Sequence, residues 1–264
     1  MDLGLQGKRA LVTGSTAGIG LAAARALAEE GAQVTINGRT AERVRAAVQW
    51  LEREIPGAVV AGVAADLGGA EGCATLVRQL LEVDILVNNV GIFEPTPFEA
   101  IPDEDWFRFF ETNVMSGVRL TCHYLPGMRQ RDWGRIVFVS SESALQIPVE
   151  MIHYGMTKTA QIAIARGIAE SLAGSGVTVN SVLPGPTKSE GVGEFITRLA
   201  ESKGIDAASA EREFFATGRP SSIIQRFASP EEVAAMIAYV CSAKASATTG
   251  AALRVDGGVV RAIP

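Results

Sequence analysis

The architecture of this chain rests on the segment Thr13-Gly14-Ser15-Thr16-Ala17-Gly18-Ile19-Gly20, which directly follows the apolar run Ala10-Leu11-Val12. An Ala/Leu-rich segment continues from it to Glu30, and Gly31 stands where a C-cap glycine would end a helix. The succession predicts a strand, a tight turn and a helix. Glycines let a backbone approach a pyrophosphate closely, and a helix N-terminus offers free N–H groups and the positive end of its dipole. The spacing Gly-x3-Gly-x-Gly differs from the Gly-x-Gly-x-x-Gly dinucleotide fingerprint, so this segment needs support from the rest of the chain.

Strand-like and helical stretches alternate along the whole sequence. Seven near-continuous apolar runs predict strands at residues 9–13, 33–37, 59–64, 84–88, 135–140, 177–183 and 252–255. Helical stretches lie between them at residues 19–30, 41–54, 70–81, 103–131, 154–173 and 230–242. Such alternation predicts parallel pairing with right-handed crossovers. We therefore expect an α/β fold, a doubly wound parallel sheet of about seven strands (the Rossmann fold) with helices on both faces and its ligand at the carboxyl ends of the strands.

Length and composition limit the classes of function. The chain has 264 residues, 47% of them hydrophobic, and no Pro/Ser-rich linker, which predicts one domain over residues 1–264. A net charge of −5 argues against non-specific nucleic-acid binding. No run of eighteen apolar residues predicts a membrane span, and the N-terminus has no apolar signal core. Three cysteines without Cys-x-x-Cys spacing suggest reduced thiols in a cytoplasmic protein, and the two histidines give no metal-ligand pattern, so no metal is expected.

A candidate catalytic group lies in Tyr154-Gly155-Met156-Thr157-Lys158, with Ser141 thirteen residues upstream of the tyrosine. Residues four apart on a helix share a face, and an ammonium beside a phenol lowers its pKa, so Tyr154 is predicted to act as a general acid or base. The Ser141 hydroxyl is suited to donate to an oxygen that gains negative charge. The alternative for the pair is a surface helix with a snorkelling lysine. A serine nucleophile is improbable because no Gly-x-Ser-x-Gly elbow surrounds Ser141.

Taken together, the motifs resemble the short-chain dehydrogenase/reductase family. They occur in the family's order over nearly the whole chain: Thr13 to Gly20, Asp66-Leu67, Asn88-Asn89-Val90-Gly91, Asn113, Ser141, Tyr154, Lys158, Pro184-Gly185 and Val255-Asp256-Gly257-Gly258. The broad resemblance is nearest to 3-oxoacyl-[acyl-carrier-protein] reductases and to sugar or polyol dehydrogenases. It implies an NAD(P)-dependent oxidoreductase that transfers a hydride between nicotinamide and a carbonyl or secondary alcohol. A fold that binds the cofactor as a regulatory or scaffold protein without turnover is the alternative.

The resemblance also implies residue roles. Tyr154 exchanges the proton with the substrate oxygen, Ser141 hydrogen-bonds that oxygen, Lys158 bonds the nicotinamide ribose, and Asn113 helps to hold a water of the proton relay. Asparagine is a poor residue for the interior of a helix, which supports a special role for Asn113. The expected cofactor-binding residues are Gly14, Ser15, Thr16, Gly18, Ile19, Gly20, Asn37, Arg39, Asp66, Leu67, Asn89, Gly91, Tyr154, Lys158, Pro184, Gly185, Thr187 and Ser189.

The choice of cofactor depends on the end of the second predicted strand. An NAD-preferring site usually has an acidic residue there, but the aligned position is Gly38. Arg39 is suited to clamp a 2′-phosphate, and Asn37 to add a hydrogen bond. Asp66 is expected at the adenine. NADP(H) is therefore favoured and NAD(H) remains possible; in the alternative, Arg39 only stacks on the adenine or faces water.

Two further expectations concern the outside of the molecule. The segment 188–226 has two prolines before it and apolar residues among mixed charges, which predicts a mobile lid of short helices over the substrate. The alternative is a rigid insert. Residues 103–131 and 154–173 are apolar on more than one face, and in the family the corresponding helices pack against a partner subunit. A homo-oligomer, tetramer or dimer, is thus implied, unless the same chain covers these helices.

Overall fold

The computed structural model of the chain describes residues 1–188 and 190–263. Seven strands form one sheet: β1 (Arg9–Val12), β2 (Gln33–Gly38), β3 (Val60–Ala64), β4 (Ile85–Asn88), β5 (Gly134–Val139), β6 (Val177–Pro184) and β7 (Ala252–Val255). Their order is β3-β2-β1-β4-β5-β6-β7, and neighbouring strands pair in parallel. The strand order reverses between β1 and β4, where a crevice forms at the carboxyl ends of the strands. The predicted doubly wound sheet is confirmed.

Helices cover both faces of the sheet. They are α1 (Gly18–Glu29), α2 (Ala41–Glu54), α3 (Ala70–Gln79), α4 (Asp103–Phe110), α5 (Ser116–Gln130), α6 (Ile152–Ser171), α7 (Glu190–Lys203), α8 (Ala207–Glu213) and α9 (Pro230–Cys241). Alternate strand residues face opposite sides, as in any strand. Val12 and Val87 pack with α1, α2 and α9 in one buried cluster. Leu11 and Leu86 pack with α3, α5 and α6 in a second buried cluster on the other face. Two apolar layers therefore hold the sheet rigid beneath the site.

The helical stretch expected over residues 103–131 forms, but it is not α-helical throughout. A π-helical turn, Glu111–Met115, separates α4 from α5. At its centre the side chain of Asn113 accepts a hydrogen bond from the backbone N–H of Ile92 at 2.7 Å and donates to the Ile92 carbonyl at 3.0 Å. The asparagine therefore ties this turn to the loop that follows β4. One-turn π bulges are frequent at functional sites, and the sequence marked this one by an asparagine inside an apolar helix.

The segment between β6 and α9 folds over the carboxyl edge of the sheet. It contains α7, α8 and a second π-helical turn, Phe214–Gly218. Its small core joins Ile196, Ala210, Phe215 and Phe227. Hydrogen bonds connect it to the body of the protein, including one from the Ser221 hydroxyl to the Val259 carbonyl at 2.7 Å.

Two classes of feature are absent from the part of the chain that the structure describes. None of its helices combines the length and apolar character that crossing a bilayer requires. Within the same described residues, His, Cys, Asp and Glu side chains form no cluster of three or more that is suited to hold a metal ion.

Candidate active site

The glycine-rich turn after β1 is shaped to approach a ligand closely. Gly14 and Gly18 have φ of 59° and 55°, the left-handed region that favours glycine. A Cβ on Gly20 would lie 2.5 Å from the Gly14 carbonyl oxygen, so only glycine fits there. Helix α1 begins here with no side-chain cap and no acidic residue in its first turn. Its first N–H groups and positive dipole end suit an anion, so the turn fits the pyrophosphate of a dinucleotide.

Side chains beneath the turn fix its shape. The Asn89 amide donates to the carbonyls of Thr13 and Gly14 at 2.9 and 3.1 Å. Ser15 donates to the Val12 carbonyl at 2.6 Å. The side chain of Asn37 is buried: its nitrogen donates to two backbone carbonyls and its oxygen accepts from the Gly14 N–H at 3.2 Å. Asn37 thus holds the shape of the turn, and its expected hydrogen bond to the cofactor stays a prediction.

The adenosine end of the crevice is exposed. Arg39 follows β2 as an exposed residue, and within residues 1–188 and 190–263 its guanidinium has no hydrogen bond or ion pair. A Cβ on Gly38 would lie 2.5 Å from Cγ2 of Thr16. Next to Thr16 a second cavity of about 280 Å³ is lined by Arg43. Asp66 is exposed and accepts from the Gly68 N–H at 3.0 Å.

The main cavity has a volume of about 400 Å³ and lies between the glycine-rich turn and the insert. It brings together many residues that the sequence nominated for the site: Ile19, Asn89, Gly91, Ser141, Tyr154, Lys158, Pro184, Gly185 and Thr187. Asn113 lies behind this wall, fully buried. Leu67 is buried in the core. Ser189, a further candidate, lies outside the described residues.

The hydroxyl groups of the adjacent residues Ser140 and Ser141 have different partners, which distinguishes the proposed catalytic serine, Ser141, from Ser140. The Ser140 hydroxyl donates to the backbone carbonyl of Lys158 at 2.8 Å, so it is used to anchor α6. The Ser141 hydroxyl lines the cavity together with the side chain of Tyr154 and lies close enough to influence the pKa of its phenol. Ser143 also lines the cavity, and its backbone N–H donates to the Ser141 Oγ at 3.1 Å.

The protonation of Tyr154 differs from the sequence-based expectation. Burial raises the pKa of the phenol above its ordinary value, although the hydrogen bond with Ser141 lowers it in part. Lys158 does not offset this, since its ammonium lies 5.6 Å from the centre of the ring and donates elsewhere. The expectation that Lys158 lowers the pKa of Tyr154 is wrong for this structure. Burial also lowers the pKa of Lys158, to about 8.

Gln161 connects the ammonium of Lys158 to the π-helical turn, a role that the sequence analysis missed. Its side-chain oxygen accepts from Lys158 Nζ at 3.2 Å, and its side-chain nitrogen donates to the Asn113 carbonyl at 2.6 Å. Lys158 and Asn113 are therefore connected through the side-chain amide of Gln161. The available signal was a glutamine one turn after Lys158 on an otherwise apolar helix face.

A buried charge cluster beside Ser141 was also missed. Ser141 donates to a carboxylate oxygen of Glu142 at 2.5 Å. Arg219, from the insert, bonds the other Glu142 oxygen at 3.3 Å and a Glu150 oxygen at 3.2 Å. All three charged residues line the main cavity, and the side chains of Glu142 and Arg219 are only 6% and 12% exposed. The signal in the sequence was an acidic residue directly after the catalytic serine.

His153 precedes Tyr154 but does not line the cavity. Its ring is fully buried against Phe109, with ring centres 3.9 Å apart, and near Trp106. Neither ring nitrogen has a hydrogen-bond partner in the described structure. Burial lowers the pKa of His153, so the ring is neutral in the folded protein.

Comparison with known proteins agrees with this geometry. The family model of the short chain dehydrogenases matches residues 8–199. The oxidoreductase YvaG of Bacillus subtilis is 51% identical over 263 residues and covers 100% of both chains. The D-beta-hydroxybutyrate dehydrogenase of Cupriavidus necator is 34% identical over 97% of this chain and 99% of its own. The crystal structure of L-sorbose reductase from Gluconobacter frateurii, complexed with NADPH and L-sorbose, has a TM-score of 0.94 and 32% identity over 100% of both chains.

These matches span the sheet, the glycine-rich turn and the cavity. The chain therefore belongs to the short-chain dehydrogenase family, and it is an oxidoreductase.

Proposed function

We propose that this protein is an NADP(H)-dependent oxidoreductase that interconverts a carbonyl and a secondary alcohol, with Tyr154 as the general acid and base. The observation that carries the proposal is the meeting of a phenol, a serine hydroxyl and an ammonium in one cavity beside an uncapped, glycine-rich helix start. A bound nicotinamide supplies the hydride chemistry. The chain's own residues supply orientation and the proton.

The raised pKa of Tyr154 suits the phenol to act as the proton donor when a carbonyl is reduced. A phenol whose pKa is raised by burial stays protonated at neutral pH, so it is ready to donate to an oxygen that gains charge. Ser141 stabilises that oxygen with a second hydrogen bond. Lys158 bonds the nicotinamide ribose, and Gln161 holds its ammonium in place. Asn113 contributes its carbonyl to this chain of hydrogen bonds rather than contacting the substrate.

Selectivity for NADP(H) is assigned to the end of β2. Gly38 offers no carboxylate to the ribose, while Arg39 presents an exposed guanidinium that suits a phosphate. Arg43, beside the second cavity, adds a cation near Thr16. The L-sorbose reductase complex contains NADPH, which supports the same choice here.

Several features of the protein remain proposals. The segment 188–226 is proposed as a lid within a single domain 1–264, and its contribution of Val192, Phe214 and Arg219 to the cavity supports this. Homo-oligomerisation is supported by exposed aromatic side chains on α4, Phe107 and Phe110. Location in the cytoplasm and the number of subunits stay predictions. A cofactor-binding protein without turnover is the alternative function.

Tyr154→Phe tests the proposal because it keeps the ring and removes only the proton donor. We expect kcat for NADPH-dependent ketone reduction to fall by about 100-fold or more, while the Kd of NADPH, measured by fluorescence, changes little. Tyr239→Phe, an exposed position on α9, is the matched control. A Tyr154→Phe enzyme with nearly normal turnover would refute the assignment, and a wild-type protein that binds NADPH but reduces no carbonyl compound would favour the regulatory alternative.

A further inference from the structure

The single hydrogen of Ser141 is committed before any substrate enters. A serine hydroxyl has one donor hydrogen and two acceptor lone pairs. Its hydrogen goes to Glu142, and one lone pair accepts from the Ser143 N–H. Ser141 is therefore free to donate to a substrate oxygen only when it withdraws its hydrogen from Glu142.

Withdrawing that hydrogen leaves a buried carboxylate oxygen without its donor. Glu142 is 5% exposed, and a buried charged acceptor without a donor is costly. Arg219 bonds the other oxygen of Glu142, at 3.3 Å, and also serves Glu150. A replacement donor therefore has to come from the cavity. A hydroxyl on the carbon next to the substrate carbonyl lies in the right place, because Glu142 contacts the same serine that contacts the carbonyl.

The charge cluster nearest Ser141 disfavours an anionic substrate, and the Lys158 ammonium, which also lines the cavity, already bonds Val139 and Gln161. Glu142, Glu150 and Arg219 together carry a net charge of −1, and both carboxylates already bind the guanidinium. A substrate carboxylate would face Glu142 without a free cation of this cluster to bind it. A neutral molecule with several hydroxyls meets acceptors at Glu142 and at Glu150, whose side chain is 46% exposed.

We propose that Glu142, held by Arg219, accepts a hydrogen bond from a substrate hydroxyl adjacent to the reacting carbon, so that the substrate is a neutral α-hydroxyketone or the vicinal diol formed from it. On binding, the Ser141 hydrogen turns from Glu142 to the carbonyl oxygen, and the substrate hydroxyl replaces it at Glu142. Every buried donor and acceptor remains paired through this exchange. This inference rests on the proposed function and specifies its substrate.

A matched substrate series tests it. Acetoin and 2-butanone differ by one hydroxyl next to the carbonyl, and acetoacetate adds a carboxylate. With NADPH, we expect kcat/KM for acetoin to exceed that for 2-butanone by roughly 10- to 100-fold, the range for a hydrogen bond to a charged group, and acetoacetate to be the poorest of the three. Glu142→Leu should reduce the acetoin/2-butanone ratio to about one, and Glu142→Gln, which keeps one acceptor oxygen, should give an intermediate ratio.

The ratio of kcat/KM values is unaffected by a uniform loss of active protein, so a partly misfolded variant does not mimic the result. Glu170→Gln, an exposed carboxylate further along the helix of Tyr154, is the control and should keep the wild-type ratio. Equal rates for acetoin and 2-butanone in the wild type, or preference for acetoacetate, would overturn the substrate class and leave the proposed function intact. No reduction of any of the three despite NADPH binding would overturn both.

Discussion

Gln161→Leu removes the amide that joins Lys158 to Asn113 while keeping a side chain of similar size in a buried position. Lys158 Nζ then loses its acceptor at 3.2 Å and keeps the Val139 carbonyl at 3.0 Å. The Asn113 carbonyl loses its donor at 2.6 Å. The loss at Lys158 acts on a charged group. We therefore expect this loss, and not the one at Asn113, to change the pH dependence of NADPH affinity and of kcat/KM.

The size of the effect follows from the pKa of Lys158. A hydrogen bond to a charged group contributes about 1.5–3 kcal/mol, and a change of one pH unit in a pKa corresponds to about 1.36 kcal/mol. Losing the Gln161 acceptor destabilises only the ammonium form. The pKa of Lys158, about 8 in the wild type, should therefore fall to roughly 6–7 in the variant. At neutral pH half or more of the variant would then have a neutral lysine.

The assay is the pH dependence of NADPH affinity and of kcat/KM. In the wild type both should weaken as the pH rises through about 8, and in Gln161→Leu the same decline should begin roughly one to two pH units lower. Below the variant's pKa the difference should shrink. Gln130→Leu, at the exposed end of α5, is the control for the substitution itself. A loss of activity that is equal at every pH would show that Gln161 only fills space, and it would refute the reasoning.

Three other predictions concern selectivity, stability and the insert. Arg39→Ala should weaken NADPH binding more than NADH binding. Gly38→Asp should shift the preference towards NADH, and adding Thr16→Ser should relieve the clash, because a Cβ at position 38 would lie 2.5 Å from Thr16 Cγ2. An unchanged ratio of the NADPH and NADH Kd values in titrations would argue against both predictions. Since the pKa of His153 is lowered in the folded state, the unfolded state binds more protons, and stability should fall as pH drops below 6.5. Urea titrations should show a smaller loss for His153→Phe, and an equal pH slope would contradict this. Hydrogen exchange in residues 190–226 should slow when NADPH binds; protection equal to that of the central strands without cofactor would refute a lid.

The sequence by itself determined the fold and the family, and it nominated the core of the proposed site. Strands that are apolar on both faces require a sheet with helices packed on each face. The turn from Gly14 to Gly20 requires glycines at its tightest positions. Tyr154 and Lys158 were found because a helical spacing and the resemblance pointed to the same residues, and Ser141 because of its interval of thirteen residues to the tyrosine. Such local patterns are readable because the geometry of a helix or strand fixes which neighbours share a face.

Only the tertiary structure decided what surrounds those residues. The side chain of Asn37 bonds the backbone of a neighbouring strand and of the glycine-rich turn, a supporting role that the sequence did not show. Arg219 reaches Glu142 across 77 residues of sequence, and no local pattern reports such a contact. The pKa of Tyr154 rises because burial outweighs its neighbours. Desolvation and long-range pairing depend on how separate elements pack together, which is why they became visible only in the folded chain.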